Sequence, residues 1–188
     1  MEVRALLDVL HVAERLKDEL RHCDTSKGRR ESVAEHSWRI ALMALFMQDE
    51  FPELDVNKVI RMCLIHDLGE CFTGDIPTFL KSKEDEKKED EALAAWVRSL
   101  PEPYCTELAD LYAEMNALQT GEARLYKTLD KLEAVIQHNE ADIRTWEPHE
   151  YELNLTYAND IVAGMPYLEQ LREAIRDDTK QKIAEAQK

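Results

Sequence analysis

The chain has 188 residues, four cysteines and a formal net charge of -15 at pH 7. This length fits one domain that buries about two-thirds of its unfolded surface, and the acidity argues against a nucleic-acid partner, which would need a basic surface. No apolar run approaches the ~20 residues that cross a bilayer, and the cysteines form no CxxC pair. We therefore predict a protein of the reducing cytoplasm with neither nucleic acid nor membrane as partner.

The composition favours a compact, all-α single domain, because glycine and proline are few and strand-like alternation is missing from the sequence. A first helix is predicted over about 2–20, with Leu6, Leu10 and Leu16 on its apolar stripe. A polar loop is expected over 21–31.

A second helix should begin after Ser32 and run to about residue 49. Ser32 and Glu35 have the spacing of a capping box, in which each side chain satisfies a free backbone amide of the first turn. His36 and Ile40 then recur at helical spacing. The pattern therefore predicts that His36 faces the core, an unusual position for an imidazole without a partner.

The third helix is predicted from Asp55, its cap, to Gly74. Asp67 extends its apolar stripe, while His66 and Glu70 lie four residues apart on a neighbouring face. Gly69 between them permits close approach of another group. This segment therefore gathers three polar side chains in one narrow sector.

The rest of the chain is predicted as a charged loop over 81–91 that leads into a helix through Leu93, Trp96 and Val97, followed by further amphipathic helices. These helices are expected at about 104–118, 122–139, 157–163 and 167–184. Asp130 lies beside the apolar stripe of the helix over 122–139. We predict one domain over 1–188, with a motif-bearing core at about 16–140 and packing helices at about 154–185.

Four metal-capable side chains lie on or beside apolar helical stripes: His36, His66, Asp67 and Asp130. Two imidazoles and two carboxylates from three helices suit one divalent ion. Mn²⁺, Fe²⁺, Co²⁺, Ni²⁺, Zn²⁺ and Mg²⁺ remain alternatives at this stage.

The order of these residues resembles that of the HD-domain metal-dependent phosphohydrolase superfamily, which has a His, a His-Asp pair and a distant Asp. The segments 31–36 and 65–77 add a resemblance to its compact 5'-deoxynucleotidase group. The resemblance implies an enzyme that removes the 5'-phosphate from nucleoside monophosphates. It also implies that water at the metal attacks phosphorus.

Further site residues follow from this resemblance. Glu70 and Asp75 correspond to active-site acids of the group, with Glu70 preferred for acid-base work. Arg21 matches an arginine that approaches the phosphate, and Arg30 is a second candidate. The tryptophan that often follows that arginine in the group is replaced here by His22.

Other functions remain open from the sequence. The same site suits a phosphodiesterase or a hydrolase of another small phosphate ester, and a regulatory protein could bind a nucleotide there without turnover. The expected ligand is in each case a small phosphorylated molecule. The tail helices and the small size are compatible with a homodimer.

Overall fold

A computed structural model describes residues 1–77 and 80–187. It confirms the all-α fold class, since the strands of the described chain form one antiparallel pair, β1 (Leu20–Asp24) and β2 (Arg30–Ser32). The helices are α1 (Val3–Ala13), α2 (Val33–Phe46), α3 (Val56–Ile65), α4 (Glu70–Thr73), α5 (Lys83–Ser99), α6 (Tyr104–Ala117), α7 (Gly121–Glu140), α8 (Glu150–Thr156) and α9 (Pro166–Ala186).

The core lies where α2, α3 and α7 pack together. Its largest fully buried apolar side chains include Ile40 of α2, Met62 of α3 and Leu125, Leu129 and Leu132 of α7. Burial of each such side chain contributes about 1.5–3 kcal/mol. The three helices are therefore a well-supported frame for polar groups that point between them.

Two predicted helix starts are confirmed. Ser32 accepts a hydrogen bond from the amide of Glu35, whose carboxylate in turn accepts from the Ser32 amide. Asp55 caps α3 by accepting from the Lys58 amide at 3.1 Å. Both caps satisfy amides that the first turn leaves unpaired.

The first helix is shorter than predicted, and the expected polar loop is a hairpin. After α1 the chain makes a 3₁₀ turn over Glu14–Lys17, and Leu20 then pairs with Ser32 across β1 and β2. Leu16 is buried, but Leu6 and Leu10 remain 47% and 55% exposed. The predicted stripe was wrong for α1, which buries none of its side chains, and right for Leu16 in the 3₁₀ turn that follows it.

The third helix breaks at the His-Asp pair instead of continuing to Gly74. α3 ends at Ile65, whose carbonyl accepts from the Leu68 amide at 3.1 Å and from the Tyr112 hydroxyl of α6 at 2.6 Å. The turn that follows leads into α4, which ends as predicted at Gly74 with φ of +82°. The break places His66 and Asp67 at a helix end.

Two further predictions were wrong. Residues 83–91 belong to α5 and not to a loop, because its acidic first turn and the Glu84–Lys88 ion pair stabilise the helix. The helix expected at 157–163 lies earlier, as α8, because Glu150 accepts from the Glu147 amide at 2.7 Å and supports its start. Within the described residues, none of the helices is long and apolar enough to cross a membrane.

Candidate metal centre and adjoining cavity

Four of the predicted site residues meet in one place, which we call the His-Asp cluster: His36, His66, Asp67 and Asp130. Nε2 of His36 lies 3.1 Å from Oδ1 of Asp130, and Nε2 of His66 lies 2.9 Å from Oδ2 of Asp67. Nε2 of His66 is also 3.7 Å from Oδ1 of Asp130. α2, the end of α3 and α7 thus bring together groups that are almost 100 residues apart in the chain.

Both imidazoles are held through Nδ1, so that each directs Nε2 into the cluster. Nδ1 of His66 donates to the carbonyl oxygen of Cys63 at 2.9 Å. Nδ1 of His36 donates to Oε2 of Glu133 at 2.5 Å. A hydrogen bond at one ring nitrogen determines which nitrogen is available to a metal.

The cluster has the donor set of a divalent cation site. His36, His66 and Asp67 offer ligand atoms within 4.8 Å of one another. Nε2 of His66 is buried, and its 2.9 Å approach to Asp67 does not have hydrogen-bond geometry, so this nitrogen makes no hydrogen bond within the part of the chain that the structure describes. Such an unsatisfied nitrogen costs about 1–3 kcal/mol, and a cation at this position would satisfy it.

The pKa values of the cluster residues also favour a bound cation. Burial and Arg21 lower the pKa of His36, but hydrogen bonds to Asp130 and Glu133 outweigh them and raise it to about 9. Burial opposes ionisation of Asp67, yet neighbouring His66 lowers its pKa to about 2. The carboxylates thus attract positive charge, and a metal ion would compete with protons for the same atoms.

Two cations border the cluster. Nη1 of Arg21 lies 3.8 Å from Oδ2 of Asp67, and Nζ of Lys127 lies 2.7 Å from Oδ2 of Asp130. Arg30, the second predicted phosphate ligand, is exposed and donates from Nε to the Arg21 carbonyl at 2.7 Å. No contact described for residues 1–77 and 80–187 joins Arg30 to the cluster, so its predicted role gains no support.

Glu70 is a buried carboxyl group next to the cluster, only 6% exposed. Burial and the charges of Asp67, Asp75 and Glu89 raise its pKa to about 10, so it is protonated at neutral pH. Burial also raises the pKa of Asp75, while Arg21 opposes that shift. The two predicted acids therefore lie in one electrostatic environment with the cluster.

A cavity of about 240 Å³ adjoins the cluster on the side of Arg21 and Asp75, which both line it. Apolar walls come from Val135, Leu153 and other side chains, and the polar lining includes His138 of α7. Pockets for small molecules usually measure about 300–1,000 Å³. The cavity is thus large enough for part of a small metabolite and far too small for a polymer.

Sequence reasoning missed two charged residues at the cluster. Glu133 lies three residues after Asp130 on the buried face of α7, where an acidic residue among leucines was a usable signal. Lys127 precedes Asp130 by three residues, a spacing that puts both on one helix face. The apolar stripe of α7 indicates packing and does not by itself reveal either interaction.

The fold and the cluster define the class of protein to which the chain belongs. A sequence profile of the HD domain matches residues 13–169, most of the chain. The chain therefore belongs to the HD-domain family, which confirms the resemblance drawn from its motifs.

Comparison with individual proteins gives relatives that are named as phosphate-ester hydrolases. The chain is similar to 5'-deoxynucleotidase HDDC2 of Homo sapiens, with 34% identity over 114 residues, 60% of this chain and 55% of the human protein. It is 30% identical to a predicted metal-dependent phosphohydrolase from Magnetospirillum magnetotacticum MS-1, whose structure superposes with a TM-score of 0.79 over 96% of both chains. The chain spans about half the length of the human and bovine relatives it matches.

Proposed function

We propose that this protein is a metal-dependent phosphomonoesterase that removes the 5'-phosphate from (deoxy)ribonucleoside monophosphates. The observation that carries the proposal is the His-Asp cluster, in which two imidazoles and two carboxylates converge beside an arginine and a cavity. The names of similar proteins, 5'-deoxynucleotidase and metal-dependent phosphohydrolase, support the same activity.

His36, His66, Asp67 and Asp130 would hold one divalent ion. When bound, such an ion lowers the pKa of a coordinated water and compensates charge on phosphoryl oxygens. The mixed nitrogen and oxygen donors suit Mn²⁺, Fe²⁺, Co²⁺, Ni²⁺, Zn²⁺ or Mg²⁺. Elemental analysis of the purified protein would identify the resident metal.

Arg21 is the residue best placed to bind the phosphate. Its guanidinium lies at the boundary between the cluster and the cavity, because it contacts Asp67 on one side and lines the cavity on the other. A phosphate held there would leave the nucleoside in the cavity, against Leu153 and His138. This position favours a small monoester over inorganic or polymeric substrates.

Glu70 and Asp75 divide the proton transfers in this proposal. Glu70 carries a proton at neutral pH, because burial and nearby carboxylates raise its pKa to about 10. It therefore donates that proton to the 5'-oxygen as the bond from this oxygen to phosphorus breaks. Asp75 accepts a proton from the attacking water as the new bond to phosphorus forms, so the products are a nucleoside and phosphate.

The test is a panel of phosphate esters assayed for released phosphate with each of several divalent ions. We expect nucleoside 5'-monophosphates to be hydrolysed fastest, and paired ribo- and deoxyribonucleotides measure the sugar preference. Faster hydrolysis of cyclic nucleotides would instead indicate a phosphodiesterase. Nucleotide binding without phosphate release under every metal would indicate a regulatory protein and overturn the proposal.

The predictions of a homodimer and of a cytoplasmic location are independent of this activity. Light scattering coupled to size-exclusion chromatography measures the first. Fractionation of cells that produce the protein measures the second.

A further inference from the structure

Glu133 is a fully buried carboxylate that lies directly behind the His36 ring. Its side chain is 0% exposed, on the face of α7 that also carries Leu129 and Leu132. Oε2 lies 2.5 Å from Nδ1 of His36, and Oε1 lies 3.6 Å from Nε of Arg39. A carboxylate in this position is costly for folding unless its partners are well placed.

We propose that Glu133 is a positioning residue of the metal centre. It accepts the Nδ1–H of His36, holds the ring in one orientation and leaves Nε2 of that ring to bind the metal. Histidines that bind metals usually donate their other ring N–H to such a partner, and loss of the partner costs about 10–100-fold in metal affinity. The inference rests on the proposed metal centre but not on the identity of the substrate.

The two histidines differ in how they are held, which makes the role of Glu133 measurable. Nδ1 of His66 donates to the backbone carbonyl of Cys63, a group that no side-chain substitution removes. Nδ1 of His36 depends instead on a side chain from another helix, 97 residues away in the chain. Substitution of Glu133 therefore releases one histidine and leaves the other held.

A competing arrangement would place a metal on the opposite side of His36. Glu31, His36 and Glu133 also offer ligand atoms within 4.8 Å of one another. However, Oε2 of Glu31 already accepts from the Cys23 thiol at 3.3 Å and lies 3.2 Å from Nε of Arg21. A metal bound at Nδ1 of His36 would also have to separate this nitrogen from Oε2 of Glu133, which lies only 2.5 Å away. The geometry therefore favours a metal on the Nε2 side.

Titration of metal-free protein with Mn²⁺ by calorimetry tests the proposal. We expect E133A to lose about 10–100-fold in Mn²⁺ affinity, and E133Q to lose less because its amide oxygen still accepts the Nδ1–H. The matched control is E140Q, which removes the other carboxylate bound by Arg39 without touching His36. The control should bind Mn²⁺ as the wild type does.

A second measurement begins with the unaltered protein, so its first result does not depend on whether a variant folds. Nitrogen-15 spectra of the histidine side chains, recorded with Zn²⁺ bound, should show a protonated Nδ1 and a coordinated Nε2 for His36. In E133A the Nδ1 proton should exchange faster with water, which a general loss of stability would not produce in protein that remains folded.

Two outcomes would overturn the inference: coordination of His36 through Nδ1, or wild-type Mn²⁺ affinity in folded E133A. Both are distinguishable from failure of the proposed function. A protein that binds Mn²⁺ normally but releases no phosphate from any ester would refute the activity and leave the role of Glu133 standing.

Discussion

The site has two halves that the fold supports in different ways. One half, the metal side, contains His36, Asp130 and Glu133 on the regular helices α2 and α7, together with His66 and Asp67 directly after the last turn of α3; all three helices share the buried core. The other half lies on short or irregular elements: Arg21 on β1, Glu70 at the start of α4 and Asp75 beyond its end. The helical half is rigid by packing, so it suits a metal, whereas the irregular half can adjust to a substrate and its leaving group.

This division predicts two groups of variants, those that lose the metal and those that keep it but lose turnover. The largest decrease in activity is expected for substitution of a metal ligand. We expect H66A to lose its bound metal and at least about 10³-fold in kcat, because a metal supplies several kcal/mol to phosphoryl transfer. Elemental analysis and phosphate release measure both effects. Full metal occupancy in H66A would mean that the cluster is not the metal centre.

The next largest decrease in activity is expected for a substitution in the irregular half, which should leave the metal bound. E70Q keeps the shape of the side chain but has no ionisable proton, so we expect kcat to fall about 10²–10⁴-fold. Metal content should equal that of the wild type. The exposed Glu91 of α5 offers a matched control, E91Q, with unchanged kcat. Wild-type turnover in E70Q would remove Glu70 from the mechanism.

Removal of the metal should lower the thermal stability of variants that bind it and leave that of metal-free variants unchanged. A ligand present at 100 times its Kd stabilises the folded state by about 2.7 kcal/mol, which corresponds to a Tm shift of about 5–10 °C at this chain length. Scanning fluorimetry should show this decrease on chelation in the wild type and in E70Q. H66A should show no decrease; an equal decrease there would contradict the assignment.

A smaller effect is expected when the cavity is filled. L153W should raise KM for a nucleoside monophosphate about tenfold, equivalent to about 1.4 kcal/mol of lost binding, because the new ring occupies the space proposed for the nucleoside. KM for methyl phosphate should not change. L64W, at an exposed position of α3, is the control. Equal KM changes for both esters would place the nucleoside elsewhere.

The smallest effect concerns the turn between the two halves. A Cβ at Gly69 would lie 2.7 Å from Cγ of Glu89, whose carboxylate is 2.7 Å from Nζ of Lys81. We expect G69A to change the unfolding free energy by less than about 1 kcal/mol, because reduced chain entropy offsets the displaced side chain. Urea unfolding of G69A, E89A and the double variant should show coupling; strict additivity would contradict this contact.

The helical half was predictable from the sequence because its signals are local. The Ser32 capping box and the 3.6-residue stripes placed His36 and Asp130 correctly on their helices. The irregular half was not predictable in this way. The hairpin needs Leu20 to pair with Ser32, and α3 ends where Tyr112 binds its last carbonyl, so both depend on contacts that sequence periodicity does not contain.

The hydrogen bond from Tyr112 to the Ile65 carbonyl has a consequence for how substitutions at a distance affect the His-Asp cluster. α6 supplies none of the four residues of the His-Asp cluster, yet its tyrosine holds the turn from which His66 and Asp67 project. A change on α6 can therefore alter metal retention without altering a single ligand. Among natural variants, we expect the residue at position 112 to change together with residues of the turn after Ile65, and not with the exposed residues that surround it on α6.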